Sequence, residues 1–406
     1  MTDAKKENRI IFICWLAYAA AYVGRLNYSA SIVAIVASMG VAKSQAGLVS
    51  SCFFFAYGAG QLVNGILSKK YNSRIMVFFS LVSSSALNLA MPLCGSISLM
   101  KYIWLANGAV QSILWSTLIK TISEHVSDGK ISKAIVVMST PVAAGTLGAY
   151  GLSAFFVKFF TWRYTFFAAS AVLISAAFIW FFSYGNEMPK VLEVKAKEKS
   201  EKTRVPVPLI FFLASVCLAG IANGFVKDGI NTWVPSVLYE SFGISQSFSI
   251  LLTLLLPIVS LCGATVVAAV HKKIRSVSVM NMIFYIIGVA VCSGILFTLK
   301  IRSLAFLMIL FTLTACLMSM INNVITSIFP LDMRRVLGSG FLAGLVNSFC
   351  YVGSTVTSYT LGSVAQKQGW NMVFVIMLCV CAAAAVASLA GIALERKNKA
   401  VGISAE

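Results

Sequence analysis

The chain has 406 residues, 59% of them hydrophobic and only 11% charged, and its mean hydropathy is +0.88. So few charges cannot cover the surface of a water-soluble chain of this length, which excludes a soluble enzyme or binding module and points to repeated crossing of a bilayer. A net charge of +19 raises nucleic acid as a partner, but the basic residues fall in the segments between apolar runs, where they report topology instead.

A helix needs roughly 20 apolar residues to cross about 30 Å of hydrocarbon. Twelve runs reach that length, at about 10–36, 45–67, 75–95, 99–121, 133–158, 164–184, 207–233, 246–270, 277–299, 303–327, 337–361 and 371–394. Barrel strands alternate and are only about 10 residues long, so the expected fold is an all-α membrane protein with 12 transmembrane helices. The first run is too long for a signal h-region and contains Arg25, so it is expected to stay in the mature chain as span 1. With the N-terminus inside, 23 of the 32 Lys and Arg lie on inner segments and 7 on outer ones. This asymmetry predicts a multi-pass protein of the cell membrane with both termini cytoplasmic.

The remaining two cations, Arg25 and Lys227, sit deep inside spans 1 and 7. A charge near the bilayer centre costs at least about 2.5–3.5 kcal/mol, so such residues face a watery cavity or an opposite charge. At a helical period of 3.6, Tyr18, Tyr22, Arg25 and Ser29 share one face of span 1. Span 2 offers Tyr57, Gln61 and Asn64, and span 4 offers Asn107, Gln111 and Trp115. Span 7 aligns Asn223, Lys227 and Asn231; span 10 carries Asn322, Asn323 and Thr326; span 11 adds Asn347, Tyr351 and Ser354. Amides and phenols in lipid-length helices turn inward, either to a cavity or to each other as interhelical glue. Asp228 is the sole acidic residue well inside a span. Its two readings are a structural charge partner and a carrier of a coupling proton or cation.

The most hydrophilic stretch, 185–206, lies near the chain midpoint and reads as a cytoplasmic linker. It divides an N-terminal six-helix half, 1–184, from a C-terminal six-helix half, 207–406. The halves echo each other: Arg25 with Lys227, Ser68-Lys69-Lys70 with His271-Lys272-Lys273, Asp128-Gly129-Lys130 with Asp332-Met333-Arg334, and Trp162-Arg163 with Trp370-Asn371. Two parallel repeats of six helices resemble the major facilitator architecture, in which substrate binds between the halves near the midplane. The ten cysteines show no metal-ligand spacing, and His125 and His271 are expected in basic inner loops. No metal, cofactor or enzymatic centre is expected.

The segment Lys227-Asp228-Gly229-Ile230-Asn231-Thr232-Trp233-Val234-Pro235 resembles the start of the second half in the organophosphate:phosphate antiporter family, the glycerol-3-phosphate and hexose-phosphate transporter group. Tyr18-x3-Tyr22-x2-Arg25-x-Asn27-Tyr28 is similar to that family's tyrosine-and-arginine helix, and Ser68-Lys69-Lys70-Tyr71-Asn72-Ser73-Arg74 to its loop between spans 2 and 3. Gln111-x3-Trp115, and Gly353 with Tyr351 before it, also fit. The resemblance implies a phosphate held by a basic residue from each half, here Arg25 and Lys227, with Tyr18, Tyr22 and Tyr351 lining the site. Three positions depart from the pattern. Lys227 replaces an arginine and cannot make a planar bidentate fork; Gln61 stands where a basic residue is expected, and Pro141 where a histidine is.

The expected function is therefore secondary active transport of a small organic anion, organophosphate or carboxylate, by alternating access, with inorganic phosphate as the exchanged counter-substrate. The substrate-binding set is Arg25, Lys227, Tyr18, Tyr22, Tyr351, Gln61, Gln111, Asn223, Asn231 and Asn347, with Asp228 as coupling or charge partner. The alternatives are a proton- or cation-coupled carboxylate symporter and a transporter-like membrane sensor. The expected partners are that small anion and the lipid bilayer, and the expected oligomeric state is a monomer.

Overall fold

The computed structural model describes residues 3–67, 72–127, 140–184, 207–333 and 339–400, with positions 130, 134, 137 and 138 between them. Among these residues there is no strand. The helices, in chain order, are α1 (Asp3–Met39), α2 (Lys43–Leu67), α3 (Ser73–Ala90), α4 (Ile97–His125), α5 (Pro141–Phe159) and α6 (Trp162–Tyr184). They continue with α7 (Val207–Phe242), α8 in three pieces (Gln246–Thr253, Leu255–Ser260, Cys262–Lys273), α9 (Val277–Ile301), α10 (Leu304–Asn323), α11 (Ser339–Gln368) and α12 (Trp370–Ala400). The expected linker at 185–206 lies outside the described residues, as do Ser68 to Tyr71.

Ten of these helices are long and apolar enough to cross a membrane among the described residues. The other two, α4 with 29 residues and α11 with 30, have the length but carry more polar side chains. Large apolar side chains such as Phe55, Phe79, Phe155, Phe182 and Val386 cover the outside, as a lipid-facing belt requires.

The helices outrun the apolar runs at several ends. α1 starts at Asp3 and α7 runs on through Pro235 to Phe242, because polar turns beyond the hydrocarbon still satisfy their backbone by helical bonds. α5, expected from residue 133, is described from Pro141, and most of 131–139 lies outside the described residues; the proline ring fixes φ and lacks a donor, which suits a first turn. α8 breaks after Thr253 and after Ser260, around Pro257, which leaves carbonyls unpaired. The two histidines expected in loops instead sit in the last turns of α4 and α8. His125 is buried, its Nδ1 lying 2.9 Å from the carbonyl of Thr121.

α1 packs on α5 and α6, α2 on α4, and α3 on α4 and α6; α7 packs on α11 and α12, and α9 on α10 and α12. The two groups meet along α2–α11, α1–α7 and α5–α8. Helix parity puts Lys43, Glu240 and Trp370 at the end opposite the termini. There Lys43 Nζ is 2.8 Å from Glu240, Trp370 Nε1 donates to the same carboxylate oxygen at 2.9 Å, and the Lys43 N–H donates to Gln366 at 3.1 Å. Next inward, the Tyr359 N–H donates to Ser51 Oγ at 3.2 Å. That end of the bundle is closed.

A caged cation between the two helix groups

Arg25 projects from the middle of α1 and is 6% exposed. Its guanidinium carbon lies 4.4 Å from the ring centre of Tyr57, 5.0 Å from Tyr22, 5.1 Å from Phe53, 5.5 Å from Tyr351 and 5.7 Å from Phe54. Its Nη2 donates to the Tyr351 hydroxyl at 3.2 Å, while the buried Nε has no hydrogen-bond partner. Among the described residues Arg25 makes no ion pair. Ring faces attract a cation by about 0.5–2 kcal/mol each but leave its charge uncancelled. The cage therefore holds a guanidinium whose electrostatic need is unmet.

The cage is assembled across the group boundary. Tyr22 comes from α1, Phe53, Phe54 and Tyr57 from α2, and Tyr351 from α11. The Tyr351 ring stands 4.8 Å from Tyr57 and 6.3 Å from Phe54. Gly58 permits this approach: a Cβ there would lie 2.7 Å from Tyr351 Cβ. One turn further along α2, Gln61 accepts a hydrogen bond from Asn347 of α11.

Lys227 is half-buried and makes no ion pair or hydrogen bond among the described residues. Both it and Asp228 lie within electrostatic reach of Cys350, the residue before Tyr351. Asp228 does not close onto Lys227; it accepts instead from Ser354 Oγ of α11, consistent with neighbouring helical side chains pointing about 100° apart.

The remaining expected residues divide. Tyr18 stacks edge-on to Tyr22 at 5.2 Å and against Trp115 at 4.9 Å, beside the cage. Gln111 is not brought to the cage by its hydrogen bonds: its Nε2 donates to Ser84 Oγ at 2.8 Å within an α3–α4 network. Asn223 donates to Asn322 at 3.2 Å, joining α7 to α10, and its Oδ1 is buried without a partner. Asn231 takes part through its backbone, whose carbonyl accepts from the Tyr150 hydroxyl. Asn64 donates to Ser112, and so acts as glue. Phe53, Phe54 and Tyr57 complete the cage but were absent from the expected set. Only Tyr57 carried a polar signal, and two phenylalanines in an apolar run carry none.

Among the described residues, twelve spans in two groups, closed at one end and with a buried cation unpaired midway between them, are the build of a polytopic solute carrier rather than an enzyme. The chain belongs to the Major Facilitator Superfamily, matching it over residues 14–343. It is 24% identical to the glycerol-3-phosphate transporter of Bacillus subtilis, over 95% of this chain and 93% of that protein. It is 22% identical to a probable hexose phosphate transport protein of Chlamydia muridarum, over 91% of this chain and 87% of the other. Among solved structures, a bacterial homologue of the human lysosomal transporter Spinster, inward-facing and unoccupied, superposes with a TM-score of 0.82 at 14% identity, covering 97% of this chain and 98% of that one. At that identity the likeness concerns the fold alone.

Proposed function

We propose that this protein is a secondary active transporter that carries a small organic anion, an organophosphate foremost, across the cell membrane in exchange for inorganic phosphate. The observation that carries the reading is Arg25: a buried guanidinium ringed by aromatics, with a free Nε–H and, among the described residues, no carboxylate. Such a group lacks only an anion, and a phosphoryl oxygen accepts from guanidinium N–H groups in a charge-assisted bond. Lys227, equally unpaired among the described residues, supplies the second charge from the other helix group. The names borne by the phosphate-ester transporters among its relatives support the substrate class.

In this reading residues 1–184 and 207–406 are the two rocking halves, 185–206 tethers them in the cytoplasm, and the charge asymmetry of the loops sets both termini inside. The state described is closed where Lys43 meets Glu240, which in this reading is the outer side. An anion bound between Arg25 and Lys227 cancels their repulsion and lets the halves close behind it. Empty, the cations resist closure, so return requires a counter-anion. A ligand shifts such a balance only by binding one state better, and charge cancellation supplies that difference.

Asp228 favours a second reading. A half-buried carboxylate beside the site could instead take up a proton and couple it to a carboxylate substrate. Proteoliposomes loaded with labelled phosphate decide between them. Exchange predicts efflux accelerated by external phosphate and insensitive to a pH gradient. Symport predicts uptake driven by the gradient with no trans-acceleration, and a sensor predicts binding without flux.

A further inference from the structure

The carbonyl of Gly24, the residue immediately before Arg25, accepts two side-chain amides, Asn88 Nδ2 of α3 at 3.0 Å and Asn107 Nδ2 of α4 at 3.1 Å. In a regular helix this oxygen serves the N–H four residues on, that of Tyr28. The Tyr28 N–H has another acceptor, Asn27 Oδ1 at 3.0 Å, and Asn27 Nδ2 in turn donates to Asn88 Oδ1 at 2.8 Å. Asn107 Oδ1 accepts from Ser84 Oγ at 2.7 Å, and Gln111 Nε2 donates to the same hydroxyl at 2.8 Å. Asn27, Asn88, Asn107 and Ser84 are wholly buried. The packing leaves no slack, since a Cβ on Gly24 would lie 2.4 Å from Leu173 of α6 and 3.2 Å from Asn88 Nδ2.

A membrane helix satisfies its own backbone, so α1 has no need of outside donors at this turn. Asn88 Nδ2 also donates to its own helix at the Ser84 carbonyl, 2.9 Å away, but the two amides from α3 and α4 meet on one α1 backbone atom, which is more than holding helices together in general requires. That atom belongs to the residue before Arg25, whose charge is caged by rings and, among the described residues, unpaired. Arg25 itself has a single hydrogen bond, and that one reaches across the group boundary to Tyr351. From its own half the guanidinium receives ring faces but no hydrogen bond, and the polar fixing comes through the backbone behind it.

We infer that Asn88 and Asn107 are positioning residues for the anion site, clamping the α1 carbonyl at Gly24 so that Arg25 is held at a fixed height and rotation while its N–H groups stay free for the ligand. Asn27 ties into the clamp, accepting from the Tyr28 N–H and donating to Asn88 Oδ1. The inference rests on the reading of Arg25 as the anion's seat. It adds that affinity depends on two amides that touch neither ligand nor guanidinium.

The test measures, on the purified full-length protein, the anion concentration that protects against thermal unfolding, using inorganic phosphate, a hexose 6-phosphate and acetate as probes. The unliganded unfolding midpoint is recorded beside it. Asn88→Ala and Asn107→Ala are expected to raise the half-protecting concentration of the best probe about tenfold, the scale of a sub-ångström displacement of a binding group. Ser85→Ala is the control: its hydroxyl is as buried, on the same helix α3, but bonds Ser170 of α6. It should lower the midpoint and leave the half-protecting concentration unchanged. The inference is overturned if the two asparagine variants behave like Ser85→Ala, losing midpoint without affinity. If no probe protects the wild type, or Arg25→Ala is protected as well as the wild type, the anion reading itself falls and this one with it.

Discussion

The Tyr150 hydroxyl of α5 donates to the backbone carbonyl of Asn231 in α7, 2.5 Å away, across the boundary between the two helix groups. Four residues beyond Asn231 stands Pro235, which has no N–H to offer that carbonyl. The proline creates an orphan acceptor in one group, and a tyrosine of the other satisfies it. The bond exists only while the two groups are together at this level, so it favours the state described here over one in which they part.

Tyr150→Phe should therefore shift the population toward opening at the Lys43 end, by about 1 kcal/mol or roughly fivefold, the net worth of one hydrogen bond. Pro235→Ala restores an intrahelical donor for Asn231 and should suppress the effect. Distances between spin labels across that end check it. A Tyr150→Phe effect of equal size with and without Pro235 would rule out the orphan-carbonyl origin.

The contact of Lys43 with Glu240 and Trp370 predicts a charge-dependent latch at the same end. The Lys43 and Glu240 side chains are 15% and 33% exposed, so the pair alone contributes within about 0.2–1 kcal/mol. Glu240→Ala also removes the acceptor of Trp370 Nε1, and should raise the open fraction several-fold more than Lys43→Ala. The swap Lys43→Glu with Glu240→Lys should recover part of the loss, measured by the same label distances.

A third prediction concerns stability. Gly224 of α7 and Gly353 of α11 face each other's backbones: a Cβ on Gly224 would lie 1.8 Å from the Cys350 carbonyl oxygen, and one on Gly353 1.9 Å from that of Ile221. Backbone cannot yield as a side-chain tip can, so Gly224→Ala or Gly353→Ala should cost at least the ~1–3 kcal/mol of ordinary overpacking. The unfolding midpoint of the purified variants reports it.

Much of this was legible in the sequence. Hydropathy alone predicted twelve spans, and the intramembrane cost of charge singled out Arg25 and Lys227, because in lipid each polar group must have a reason. The aromatic cage was not legible, since Phe53 and Phe54 look like any lipid-facing pair until α11 is placed against α2. Gln111 misled for a related reason. Its helical face was read correctly as inward, but inward here means the α3–α4 network at Ser84. Periodicity gives a direction and cannot say whether a cavity or a neighbouring helix lies there. Pro235 was visible throughout, but its consequence needed Tyr150, eighty-one positions before Asn231 in the chain.

Asp228 predicts how the site weighs charge. In the proposed reading Arg25 and Lys227 face the anion with the Asp228 carboxylate beside them, formal charges that sum to +1 and match a monoanion. Phosphate should then bind better as pH falls through its second ionisation, because the monoanion is enriched. Asp228→Asn raises the centre toward +2 and should reverse that sign, favouring the dianion as pH rises. Apparent phosphate affinity on either side of that ionisation checks both. An unchanged slope in Asp228→Asn would remove Asp228 from the charge balance.

The most direct test of the whole account is equilibrium binding and counter-exchange of the transported anion by Arg25→Ala beside Arg25→Lys. The account predicts a loss of roughly 10–100-fold in affinity for Arg25→Ala, the worth of a charge-assisted hydrogen bond in a buried site, with exchange abolished and partial recovery by lysine. Binding and exchange by Arg25→Ala at wild-type strength would contradict it.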